Sequence, residues 1–277
     1  MGTALAVTWS RAGHRIVGVA GRAATIERAA RFLPGVPVLE AAEAASRGQL
    51  VAIATPDDPI EEIVSRLAAA GAIGGRHSVC HLSGSSGLQP LGEAERAGAR
   101  TLALHPLQSF PSVEAGIDRL PGSAMAVTAR DEEAYGLGEG LARDAGTTPF
   151  RVADELRPLY HAAAVFGANY VATSLILAER LFRAAGIGDP LPLLAPLSRA
   201  VLENVETLGP AAALTGPAAR GEAGTIQRNL EALARAQPET VAPYVALARA
   251  ALDVAEGTGR VSAEDRRRVE EVLAKWM

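Results

Sequence analysis

The feature that most restricts the fold is a glycine-led helical pattern that runs directly into a short apolar strand. Gly2 precedes Leu5, Ala6 and Trp9 at helical spacing, Ala12-Gly13-His14 reads as a stop, and Ile16-Val17-Gly18-Val19-Ala20 reads as a buried strand. Helix followed by strand is the second half of a βαβ unit, whose crossover has a fixed hand. In such a unit the last glycine of a G-x-G-x-x-G turn lets the helix lie tightly against the sheet, and Gly2, with Thr3 beside it, stands in that place. The strand and the two glycines that come earlier in such a turn are not in the sequence. The expectation is therefore an α/β Rossmann-type parallel sheet whose first strand is missing from this chain. In the order 3-2-1-4-5-6 that strand is central, and omitting it leaves two rows of backbone groups unpaired at about 1–3 kcal/mol each. A working protein with about ten further residues ending in Gly-x-Gly before Met1 is expected on this ground, and intact mass of the natively expressed protein tests it.

Further along, apolar runs alternate with helical patterns. Leu50–Pro56 is strand-like and leads into Asp57-Asp58-Pro59, an acidic N-cap with proline at the first helical position, before Ile60, Ile63, Val64 and Leu67. Ser78–Leu82 is a strand closed by Ser83-Gly84-Ser85-Ser86-Gly87, and Thr101–His105 one closed by Pro106–Phe110. Ala124–Thr128 is a last strand, followed by a helix over 131–145. Such alternation implies a mostly parallel sheet covered on both faces. Near Val152-Ala153-Asp154 the pattern changes to helices only: a long one from Glu155 through Leu181, then 191–208, 222–236, 238–256 and 262–276, the last entered through Ser262. This predicts a sheet domain over 1–153 and an all-α C-terminal domain over 154–277.

Composition narrows the function. A net charge of −4 argues against nucleic-acid binding, and a single cysteine, Cys80, forbids an internal disulfide and suits a reducing, cytoplasmic setting. No apolar run reads as long enough to span a bilayer, and no secretory signal is present, so no membrane partner is expected. Lys275 is the only lysine, which excludes mechanisms needing a buried lysine or a P-loop lysine.

Open parallel sheets bind ligands beyond the C-terminal ends of their strands. The end of the second strand is Gly21-Arg22, with an arginine where nicotinamide enzymes selective for the non-phosphorylated cofactor carry an acid. Guanidinium suits a 2′-phosphate, so NADP is the expected cofactor, with Arg22 as a solvated loop residue the alternative. Thr55 and Pro56 end another strand on the cofactor side. His105 is the first choice for an acid/base or substrate-polarising group, against a histidine that merely fixes its own loop. Ser83 is placed to bond substrate or nicotinamide amide, or is a turn serine. His81 reads as structural and Cys80 as a small core residue. His161 and Asn169 fall near one stripe of the long helix, with Thr173 a turn further, either closing the cleft or bonded within the helix bundle. Gln108 and Ser109 after His105, and Thr215 and Arg220 in a later loop, are candidate substrate ligands; the loop is otherwise an ordinary connector. No metal site is expected.

His81-Leu82-Ser83-Gly84, His105-Pro106-Leu107-Gln108-Ser109-Phe110, Tyr160-His161-Ala162-Ala163-Ala164 with Asn169-Tyr170, and Leu214-Thr215-Gly216-Pro217-Ala218-Ala219-Arg220-Gly221 together resemble one family along nearly the whole chain. It pairs a Rossmann-like NADP-binding domain with a C-terminal domain of unknown function, within the wider group of 6-phosphogluconate and β-hydroxyacid dehydrogenases, pyrroline-5-carboxylate reductases and ketopantoate reductases. The resemblance implies hydride transfer and homodimerisation through the helical domain. Prephenate dehydrogenases carry a similar His-Pro pair whose histidine contacts substrate, which implies the same for His105. The β-hydroxyacid dehydrogenases place a catalytic lysine four residues before the asparagine matched by Asn169; Val165 stands there, so that mechanism does not transfer. The expectation is an NADP-dependent oxidoreductase acting on a small carbonyl or imine, carboxylated. The competing readings are a ketopantoate-reductase-like role in pantothenate synthesis and a non-catalytic nucleotide-binding or dimerisation protein.

Overall fold

A computed structural model describes residues Met1–Trp276. The chain forms two compact units, Met1–Asn169 and Tyr170–Met277. The residue pattern changes near 153, but residues 154–169 pack with the first unit.

In the first unit the elements run α1 (Gly2–Arg11), α2 (Ala23–Phe32), α3 (Ala41–Arg47), β1 (Leu50–Ile53), α4 (Ile60–Ala69), β2 (Ser78–His81), α5 (Gly92–Arg96), β3 (Arg100–Leu107), α6 (Val113–Arg119), β4 (Ala124–Ala129), α7 (Glu132–Asp144), β5 (Thr148–Arg151) and α8 (Arg157–Ala164). The strands form one sheet in the order β1-β2-β3-β4-β5. Neighbours are parallel except β3 and β4, which run antiparallel with His105 opposite Ala126. The alternation of a strand sorts its side chains to two cores. Cys80, Leu102 and Leu104 join Leu5 and Trp9 of α1 and Leu141 of α7 on one face. Val79 and Ala103 join Ile60, Val64 and Leu67 of α4 on the other. A fully buried leucine such as Leu5 contributes about 1.5–3 kcal/mol.

The stretch Ile16–Ala20 departs from its expected form. It is not a strand of the sheet; it makes a single parallel bridge, Val19 to Val38, apart from the five strands. An apolar run becomes a strand only where a partner edge lies alongside, and β1 pairs only with β2. The acidic turn before α4 also differs. Asp57 does not cap the helix, which starts at Ile60 after Pro59; its carboxylate turns toward Ser83 and Ser85.

The long helix forms as one run, Asp154–Ala184, of α8, a π-helical turn Val165–Asn169 and α9 (Tyr170–Ala184). The π turn shifts the helical phase, so the α-periodic stripe joining His161 to Asn169 and Thr173 is broken between its members. By length and composition this 31-residue run, with an 18-residue window of mean hydropathy 1.3, is apolar enough to cross a membrane, contrary to the expectation that no segment is.

The second unit continues with α10 (Leu191–Leu208), α11 (Pro210–Ala213), α12 (Ala223–Ala236), α13 (Val241–Gly257) and α14 (Ala263–Ala274). Ile226, Leu230, Val245, Leu252, Val269 and Leu273 build its core from α12, α13 and α14. Ser262 caps α14 by accepting from the Asp265 N–H at 3.1 Å.

Candidate functional site

The strand ends of the first unit close around a pocket of about 310 Å³, at the lower end of small-molecule sites. Met1, Ala54, Thr55, Pro56, Asp57, Leu82, Ser83, Gly84, His105 and His161 line it. Five residues singled out from the sequence, His105, Ser83, His161, Thr55 and Pro56, thus meet in one place.

His105 ends the inner part of β3, half-buried, with Nδ1 2.8 Å from the Tyr160 hydroxyl. Nε2 has no hydrogen-bond partner among the described residues and lies over Gly84, where a Cβ would come within 2.9 Å of it and 2.4 Å of His161 Cδ2. Glycine at 84 is therefore what lets both imidazoles approach the loop. The His105 and His161 rings stand edge to face at 6.0 Å. Burial, and next the nearby Arg157 guanidinium, push the His105 imidazole down to about 4, so it is neutral at pH 7.

Ser83, 4% exposed, has its hydroxyl committed. It donates to Asp57 Oδ2 at 2.7 Å and accepts from the Ser86 N–H at 3.0 Å; Ser85 donates to the same Asp57 oxygen at 2.8 Å. His81 is fully buried, with Nε2 2.7 Å from the Gly87 carbonyl and Nδ1 accepting from the Ser83 N–H, so both ring nitrogens hold the 83–87 turn. Burial lowers its imidazole too. Cys80 is a buried core residue whose thiol burial pushes up to about 12.

Beneath the turn lies a group that the linear pattern did not reveal. Arg157, the first residue of α8, is 0% exposed and donates to the carbonyls of Ser83 and Ser86. Burial brings it down to about 10, leaving it charged at neutral pH. Asp154, one turn earlier, accepts from the Leu88 N–H at 2.7 Å and packs against Gly87. Arg157 and Ser83 are 74 residues apart, and a basic residue opening a helix carries no local sign of such a partner.

The other candidates lie elsewhere. Gln108 accepts from the Ser109 N–H and reaches the Arg119 carbonyl, so it stabilises its own loop; neither it nor Ser109 lines the pocket. Asn169 is exposed at the end of the π turn. In the second unit Thr215 is exposed and Arg220 pairs with Glu222 at 2.6 Å. Among the described residues no group of three or more His, Cys, Asp or Glu side chains could hold a metal.

The residues present fit a nucleotide at this edge. Gly2 packs so closely on the end of β1 that a Cβ would lie 2.4 Å from that of Ala54. Leu5 N–H makes the first bond of α1, to the Met1 carbonyl, leaving the amides of Gly2, Thr3 and Ala4 directed outward at the positive end of the helix. Gly21 and Arg22 are exposed at the start of α2, Arg22 as its N-cap.

A parallel-biased sheet with helices on both faces and a ligand pocket at its strand ends defines a Rossmann-like protein. Residues 1–106 match the Rossmann-like domain, and residues 123–251 match the domain of unknown function DUF2520. The chain thus carries a Rossmann-like domain followed by this domain of unknown function. No protein of curated function matches it. Among solved structures, a Bacteroides fragilis protein assigned by name to the NADP oxidoreductases is 23% identical, with TM-score 0.77 over 91% of this chain and 93% of that one. A Thermotoga maritima protein is 20% identical, TM-score 0.70, over 93% and 97%. An imine reductase from Aspergillus terreus, solved with NADPH4, is 18% identical, TM-score 0.65, over 98% and 95%.

Proposed function

We propose that this protein is an NADP-dependent oxidoreductase that reduces a small carbonyl or imine substrate. The observation that carries the reading is His105, a neutral imidazole with an unpaired Nε2 at a pocket beside the N-terminus of α1. NADPH, when bound, supplies the hydride. Gly2, Thr3 and the first-turn amides of α1 would receive its phosphates, and Gly21 and Arg22 would recognise the adenosine end with its 2′-phosphate. Thr55, Pro56 and Ser83 would hold the nicotinamide end. His105 holds a proton at Nε2 for the substrate heteroatom, and His161 closes the pocket over Gly84.

The lining has no arginine or lysine, and Arg157 is too deeply buried to reach a ligand. This favours an imine or an uncharged carbonyl. A carboxylated substrate requires a cation from outside this lining, the role assigned in the sequence to Arg220 with Thr215. The protein is read as soluble, cytoplasmic and homodimeric through its helical domain. Support for the dimer comes from α10, where Leu191, Leu197 and Leu208 are 62%, 61% and 59% exposed, more apolar surface than a lone helix usually leaves in water.

The test is a panel of cyclic imines and 2-oxo acids, ketopantoate included, with NADPH and NADH. Oxidation of NADPH by one member, with weaker use of NADH, is expected. Tight nucleotide binding with no turnover of any member would favour a sensing role instead.

A further inference from the structure

His105 turns Nε2 toward the pocket and Nδ1 toward Tyr160. Nδ1 lies 2.8 Å from the Tyr160 hydroxyl, the rings meet edge to face at 5.6 Å and 80°, and Phe150 packs on the far edge of the tyrosine at 5.8 Å. Tyr160 stands one turn along α8 from Arg157, whose guanidinium carbon is 5.7 Å from the phenol ring centroid and whose Nη1 is buried without a partner. Two proton arrangements satisfy a neutral imidazole and a phenol at this distance. In one the phenol donates and Nε2 carries the ring proton; in the other Nδ1 donates and Nε2 is bare. A phenol is the stronger acid of the two and a weak acceptor, whereas imidazole nitrogen is a strong acceptor. The first arrangement therefore wins; burial pushes the Tyr160 hydroxyl above its ordinary value, so the phenol keeps its proton at rest, and the Arg157 cation partly offsets that cost for charge developing on its oxygen.

We propose that Tyr160 is the positioning residue of the site: its hydroxyl donates to Nδ1, fixes His105 with the proton on Nε2 facing the pocket, and replaces that proton when Nε2 gives it up. The transfer half rests on the reductase reading. Where bound NADPH would supply hydride to the substrate carbon, the Nε2–H bond of His105 would break and the heteroatom would gain that proton. The Tyr160 O–H bond breaks and Nδ1–H forms, leaving a neutral imidazole and a phenolate next to Arg157. The dyad resets when water in the pocket delivers a proton to the bare Nε2 and the Nδ1 proton returns to the phenolate oxygen, with hydroxide released to solvent. The charged and titratable groups that set this balance around His105 are Arg157, His161, Asp57 and His81.

Histidine-selective ¹⁵N NMR of the ligand-free protein tests the tautomer without any turnover. The wild type should show His105 protonated at Nε2 and bare at Nδ1 near neutral pH. Tyr160→Phe, which keeps the ring packing, should lose that preference and form a mixture. With an active substrate, Tyr160→Phe should lower kcat about tenfold or more with KM changed less than about twofold. A wild-type His105 protonated at Nδ1, or a Tyr160→Phe spectrum unchanged from wild type, overturns the proposal; the first needs no variant to fold. The expected spectra in a protein that oxidises NADPH with no carbonyl or imine support the tautomer assignment and contradict the reductase reading.

Discussion

His105 is kept neutral by burial and by a buried arginine, and that has a thermodynamic consequence. The imidazole sits near 4 in the folded protein against 6.5 when free, so between those values the unfolded chain binds the extra proton. The stability from His105 is fully present above about pH 6.5 and is lost as pH falls toward 4. Denaturant unfolding of wild type and His105→Gln across that window should show the wild type losing stability more steeply; parallel curves would contradict the depressed imidazole. Gly84→Ala should be harsher on the site than on the fold, because the new methyl meets two imidazoles and not the core. Its melting temperature should stay near wild type while the His105 and His161 resonances shift. Ser83→Ala frees the Ser86 amide and removes a donor from Asp57, which costs about 1–3 kcal/mol in thermal or denaturant unfolding.

At the scale of elements, α1 and α8 place the chemistry, and they differ in how legible they were. The helix opening at Gly2 follows from local spacing, and its close seat on the end of β1 is what the glycine permits. Gly2→Val should strain that contact and destabilise by about 1–3 kcal/mol, seen as a lowered unfolding midpoint. The strand-end positions of His105, Ser83, Thr55 and Pro56 were readable because parallel sheets gather such positions on one edge. The clamp made by Asp154 and Arg157 was not, since its partners are carbonyls and amides of a turn distant in sequence. A buried charge satisfied by backbone groups has no residue-type signature. Ile16–Ala20 carries a strand composition without a strand neighbour, and composition alone cannot report the neighbour. The π turn at Val165–Asn169 was hidden likewise, because its residues read equally well at an α-helical period.

On the scale of the whole molecule, the C-terminal unit buries its core through α12, α13 and α14 while α9 and α10 leave apolar side chains exposed. If a second copy covers them, sedimentation at micromolar concentration should give a dimer, and Leu197→Glu should shift it toward monomer. A wild type that sediments as a monomer would contradict that association. The account as a whole depends on nucleotide and His105 acting at the same pocket. The most direct measurement is NADPH oxidation with the imine and oxo-acid panel, run beside nucleotide titration, for wild type and His105→Ala. The account predicts equal nucleotide affinity for the two proteins and turnover at least about 100-fold slower in the variant. Wild-type protein that binds neither pyridine nucleotide, or a variant that turns over as fast as wild type, would contradict it.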